Sequence, residues 1–187
     1  MRSRGLRPIM AALALGAVAM LSGCDSAAPG PGGEPIDLRA QGAGWVLEVR
    51  VPSSALLSID AIDLQTTLTW TGPAAKASIW GSGMGPVTFQ YAEVGGAGRQ
   101  MGGAMTADCA QHEYAQGVPV AIPAGKGWLT DGSDPNLAFY QAWSNDPALH
   151  LPAGTWKLVV GTDGMLAPCD INAPTLKLSI PFVLTLR

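Results

Sequence analysis

Along residues 175–187, TLKLSIPFVLTLR, apolar and polar side chains alternate. Leu176, Leu178, Ile180, Phe182, Leu184 and Leu186 fall on one face, and Thr175, Lys177, Ser179, Pro181, Val183 and Thr185 on the other. A period of two predicts a strand with one buried face. Pro181 has no N–H to give a ladder, so it predicts an edge strand or a bulge. A second alternation runs through IDLQTTLTWT, where Ile62, Leu64, Leu68 and Trp70 oppose Asp63, Gln65, Thr67 and Thr69. Further strands are predicted over 45–51, 76–80, 87–93, 118–122, 137–143 and 156–162, with Gly and Pro in the gaps. Beyond the N-terminal region, no stretch longer than ten residues carries a helical period. Some eight short strands in one run of even composition predict an all-β domain over 37–187. The expected architecture is a single antiparallel β-sandwich of Ig-like or jelly-roll type.

Phase also sorts the tryptophans. Trp70 shares a face with Leu64 and Leu68, Trp156 with Leu158 and Val160, and Trp143 with Leu137 and Phe139, so these three are expected in the core. Trp80 is in phase with Lys76 and Ser78, and Trp128 with Lys126 and Thr130. Both are expected to be more exposed, beside glycines, where an aromatic ring can stack on a sugar or anchor a protein partner. A short echo links IPAGKGWLTDG (122–132) with LPAGTWKLVVGTDG (151–164). Two copies are too few for a solenoid, and the echo reads as one turn chemistry used twice.

The N-terminus breaks this pattern. Arg2, Arg4 and Arg7 precede a mostly apolar run over 9–20. That is the layout of a signal peptide, and the run is too short to span a bilayer. Leu21-Ser22-Gly23-Cys24 follows and resembles the lipobox of bacterial lipoproteins. The resemblance implies cleavage before Cys24 and a lipid on its thiol. The expected segments are therefore a signal peptide (1–23), a lipidated Cys24 with a Pro/Gly-rich flexible tether (24–36), and the domain. Several acyl chains hold a protein firmly where one does not. The expected location is the extracytoplasmic face of a cell membrane, reached through the lipid. Asp25 resembles an inner-membrane retention mark of some double-membrane bacteria.

Export changes the reading of the cysteines. With Cys24 lipidated, Cys109 and Cys169 remain as a pair in an oxidising compartment, and a disulfide is expected. In the chain-entropy model, closing that loop removes about 4 kcal/mol of unfolded-state freedom. Cleavage also changes the charge. All fourteen acids lie at or beyond Asp25 but only eight of the eleven basic residues do, so the net charge moves from −3 to 8 − 14 = −6. An acidic domain without a basic cluster argues against nucleic acid and against an anionic membrane surface as the main partner.

Catalytic groups are sparse, and no cofactor and no enzymatic activity are expected. HEYAQ (112–116) begins like a zinc-protease helix motif but has Gln116 where the second His belongs. WGSGMG (80–85) lacks the glycine spacing of a nucleophile elbow around Ser82. Met101, Met105 and His112 lie close in MGGAMTADCAQHEY and are the weak candidates for a copper site. Asp131, Ser133, Asp134 and Asn136 offer oxygens but without EF-hand spacing, and read as a turn. LPAGTWKLVV is similar to a late strand of exported sandwich domains of the pre-peptidase C-terminal and BsuPI-like types, and no function is carried from that likeness. The expected role is non-enzymatic binding or scaffolding at the cell envelope, with a protein or glycan partner.

Overall fold

The computed structural model describes residues 33–103, 105–127, 132–170 and 172–187. Cys24 and Trp128 lie outside the described residues. The fold is all-β and antiparallel, with three four-stranded ladders. The first contains β1 (Ile36–Gly42), β2 (Trp45–Val51), β3 (Gln65–Trp70) and β8 (Val120–Ile122), in the order β1-β2-β3-β8. The second contains β4 (Lys76–Gly81), β7 (Ala110–Ala115), β10 (Gly164–Met165) and β11 (Thr175–Leu176), in the order β11-β10-β4-β7. The third contains β5 (Val87–Val94), β6 (Gln100–Gly102), β9 (Gly154–Thr162) and β12 (Ser179–Leu186), in the order β12-β9-β5-β6. Among the described residues one α-helix, α1 (Leu137–Asn145), interrupts the strands.

The C-terminal alternation keeps its two faces, but the single strand expected over 175–187 divides at Lys177 and Leu178 into β11, in the second ladder, and β12, in the third. Every even position from Leu176 to Leu186 is buried, and β12 stands at the edge of its ladder, where Pro181 breaks no sheet. β1 and β2 join through Ala43 and Gly44, both at positive φ (50° and 80°), the turn geometry that suits the twist of a hairpin. A side chain at Gly44 would also strike the Trp70 ring. The buried side chains form one cluster, with Trp45, Leu47, Leu68, Trp156, Leu158 and Ile79 among its most enclosed members.

Several expectations change. Residues 137–143, expected as a strand, form α1. Its buried residues are Tyr140 and Trp143, three apart, which is helical spacing. The start is local: Asp134 Oδ1 accepts the Asn136 N–H (2.7 Å), and the Leu137 N–H donates to Asp134 O (3.0 Å). Ile36, placed in the tether, opens β1 opposite Val51. The alternation at 62–71 becomes a strand only from Gln65, although Ile62 and Leu64 are buried as expected. Trp143 and Trp156 are core residues, while Trp70 is half-buried, its ring 5.1 Å from Trp45 and its Nε1–H donating to Ala74 O (2.7 Å).

Candidate functional site

Much of the chemistry singled out along the chain converges where β4 ends. The β4–β5 loop contains Ser82, Gly83 and Met84, and the segment before β7 contains Met105, Thr106 and Asp108. Hydrogen bonds sew the two together. Ser82 Oγ is buried, accepts the N–H groups of Thr106 (2.8 Å) and Met84 (3.1 Å), and pairs with Thr106 Oγ1 (3.1 Å). The Gly83 N–H donates to Thr106 Oγ1 (2.9 Å) and Asp108 Oδ1 (3.0 Å). A Cβ at Gly83 would stand 2.4 Å from that carboxylate, so a side chain there would displace Asp108 from the Gly83 N–H. The Thr106 hydroxyl, then the Gly83 N–H, hold the Asp108 carboxyl below its ordinary value. The Ser82 hydroxyl is thus a hub of loop structure.

His112 sits on β7 opposite Ile79, and its Nε2 lies 2.8 Å from the Ser82 carbonyl oxygen. A carbonyl can only accept, so Nε2 carries a proton, and in the neutral ring the lone pair is on Nδ1. His112 and Met84 line one cavity of about 470 Å³ with Tyr114 and Ile122. Burial pushes the Tyr114 hydroxyl up to about 12, so it stays neutral. HEYAQ, which opens like a zinc-protease helix, runs through β7 as extended chain.

The structure regroups the thioethers. Met101 is only 5% exposed, on β6 opposite Tyr91, and packs in the core. Met84 (63% exposed) and Met105 (44% exposed) flank the sewn loop instead. Because the N–H groups of Met84 and Thr106 meet at one oxygen, the Cα atoms of Met84 and Met105 lie within about 10 Å of each other. The Cys109–Cys169 disulfide closes beside this loop, with a Cα–Cα distance of 5.9 Å. It ties the start of β7 to the segment between β10 and β11. Trp80, on β4 between Gln111 and Met165, is half-buried, where Trp143 and Trp156 are buried.

A second polar cluster, which sequence reasoning missed, closes the C-terminus of α1. Lys126 Nζ donates to the carbonyl oxygens of Trp143 (2.8 Å), Ala148 (2.7 Å) and Asp146. Burial lowers the pKa of its ammonium, and the nearby Asp146 opposes that shift. Asp146 Oδ2 lies 2.7 Å from His150 Nδ1, while Asp146 Oδ1 accepts the Ala148 N–H (2.8 Å). The Ala148 N–H, then His150, hold the Asp146 carboxyl low. Asp146 and His150 stand four apart just beyond the segment expected as a strand, and nothing local to them pointed to Lys126. Asp146 and His150 border a small cavity of about 280 Å³ floored by Phe139 and Trp143. A lysine on three carbonyls is a helix terminator: it supplies the charge and donors that the last turn lacks.

Among the described residues no three or more His, Cys, Asp and Glu side chains group as a metal site, and no helix is long and apolar enough to cross a membrane. No protein-family model, curated protein or solved structure matches the chain.

Proposed function

We propose that this protein is a lipid-anchored, extracytoplasmic binding or scaffolding module of the bacterial cell envelope, held by a lipid on Cys24. One observation carries the reading. Cys109 and Cys169 pair with each other, so Cys24 is left as the single remaining cysteine, in place after Leu21-Ser22-Gly23. A structural disulfide also fits an oxidising compartment. The three ladders are read as layers of one sandwich of Ig-like or jelly-roll class. Supporting this are the single buried cluster, the approach of Gly42 in β1 to Leu178 beside β12, and a parallel bridge from Leu56 to Leu186. A non-enzymatic role is favoured because Ser82, His112 and His150 each spend polar atoms on internal contacts. Membrane fractionation of cells expressing the full chain tests the anchor. Wild type is expected in the membrane pellet and Cys24→Ala in the soluble or signal-retaining fractions. Identical partition of processed forms would overturn the reading.

A second reading rests on the regrouped thioethers. Met84, Met105 and the free Nδ1 of His112 offer soft ligands suited to copper(I), with the Nε2–H bond to Ser82 orienting the ring as outer partners of ligating histidines do. Copper(I) should raise the melting temperature of wild type and lose that effect in Met84→Leu/Met105→Leu. An equal shift in both proteins would contradict this site.

A further inference from the structure

The anchor and the fold together define an orientation. Gly33, where the described chain begins, is pinned against the segment after β2: the Ser54 N–H donates to Glu34 O (3.0 Å), and a Cβ at Gly33 would meet Ser54 Oγ and Ala55 N at 2.5 and 2.7 Å. The next turn of that segment projects apolar side chains into water. Leu57 N–H donates to Asp60 Oδ2 (2.9 Å) and Asp60 N–H to Leu57 O (3.0 Å), which closes a tight turn with Ile59 near its tip. Ile59 is 81% exposed and Leu57 50%. The turn is stiffened from below, because Ser58 N–H donates to Arg187 O (2.8 Å) and Arg187 N–H to Leu56 O (3.1 Å).

A third exposed side chain joins them. Leu56 bridges to Leu186, Thr185 pairs with Thr155, and Thr155 with Val94, which is 58% exposed. Three strand spacings place Val94 about 15 Å from Leu56, along the same end of the third ladder. Tether entry and apolar patch therefore coincide. The Met84 loop precedes Val87, at the other end of β5, about 23 Å away.

We infer that the turn bearing Leu57 and Ile59, with Val94, is a membrane-facing surface, and that its occupant is the bilayer in which the Cys24 lipid sits. This rests on the lipid-anchor reading above. The length of chain between anchor and domain decides the orientation. Nine residue steps separate Cys24 from Gly33, and fully extended they span at most about 32 Å. A compact domain of about 150 residues is about 40 Å across. The opposite end cannot rest on the bilayer, because the chain would have to run back along the whole domain. Three apolar side chains are too few to hold a soluble protein on lipid. On a tethered one they need only settle at the headgroup boundary, since the short tether supplies a high effective concentration. The same orientation turns the Met84–His112 cavity away from the membrane.

The test uses the full-length lipidated protein purified from membranes. Cys24 is blocked and Cys109–Cys169 is oxidised, so a cysteine introduced by Ile59→Cys is the single free thiol for an environment-sensitive dye. Val118→Cys serves as control, because Val118 follows Gly117, whose N–H donates to Trp70 O at the opposite end of the first ladder. Labelled proteins are reconstituted into vesicles of phosphatidylethanolamine and phosphatidylglycerol containing doxyl-labelled lipid. The expected result is flotation of both proteins, with blue-shifted and quenched emission at position 59 and unchanged emission at 118. Flotation with an unquenched label at 59, or equal quenching at both positions, overturns the inference and leaves the anchor standing. Failure to float overturns the anchor, and the inference with it.

Discussion

Thr66 lies on β3 between Val49 and Ile122, is buried, and its hydroxyl has no hydrogen-bond partner among the described residues. An unmet buried hydroxyl costs free energy that an isosteric methyl does not. Thr66→Val should raise stability by about 1 kcal/mol, seen as a melting temperature about 3 °C higher. An unchanged or lower value would mean that the hydroxyl is satisfied. Asp146 makes the opposite kind of contribution. The Ala148 N–H and His150 hold its carboxyl below the ordinary 3.8, so the folded state favours the ionised form. Its stabilisation is present above about pH 4 and is lost as pH falls through the lowered folded value. Thermal melts between about pH 7 and pH 3 should show a smaller acid loss in Asp146→Asn than in wild type. Equal losses would remove Asp146 from the account. Neither residue stood out along the chain, because burial and partners at single positions depend on which elements meet.

Length alone did not make an element legible: β1 and β7, of seven and six residues, were not among the expected strands, while the three residues of β8 fell inside one. β12 repeats its alternation through eight residues, and each even position is buried. β10 and β11 have two residues each, too few for any period to register. α1 was misread for a specific reason. Leu137, Phe139 and Trp143 stand at odd positions and mimic a strand face, while the helical pair, Tyr140 and Trp143, is a single i,i+3 step. Its C-terminal stop lies outside the local sequence: Lys126 comes from eleven residues before α1 begins. Lys126→Met would leave those carbonyls without their donor, and should cost about 2 kcal/mol. Hydrogen exchange should accelerate across α1 before it does in β9. Uniform exchange in both proteins would show that the lysine does not hold the helix end.

At the scale of the whole molecule, the sequence spoke about place more clearly than about partner. The all-β class and the Cys109–Cys169 disulfide were readable from alternation and cysteine count. The loop site was only half readable: Met105 and His112 are near in sequence, but Met84 joins them only because Ser82 Oγ gathers two distant N–H groups. The same folding packs Gly33 against Ser54, close to the exposed turn at Leu57 and Ile59, which no local pattern announces. The proposed anchor and the orientation inferred from it depend on whether a lipid is attached to Cys24. Intact-mass and N-terminal peptide analysis of the protein extracted from membranes measures it directly. The account predicts a chain that begins at Cys24, lacks residues 1–23 and carries acyl mass on that cysteine. A chain carrying Cys24 as a free thiol, or still bearing residues 1–23 without lipid, would contradict it.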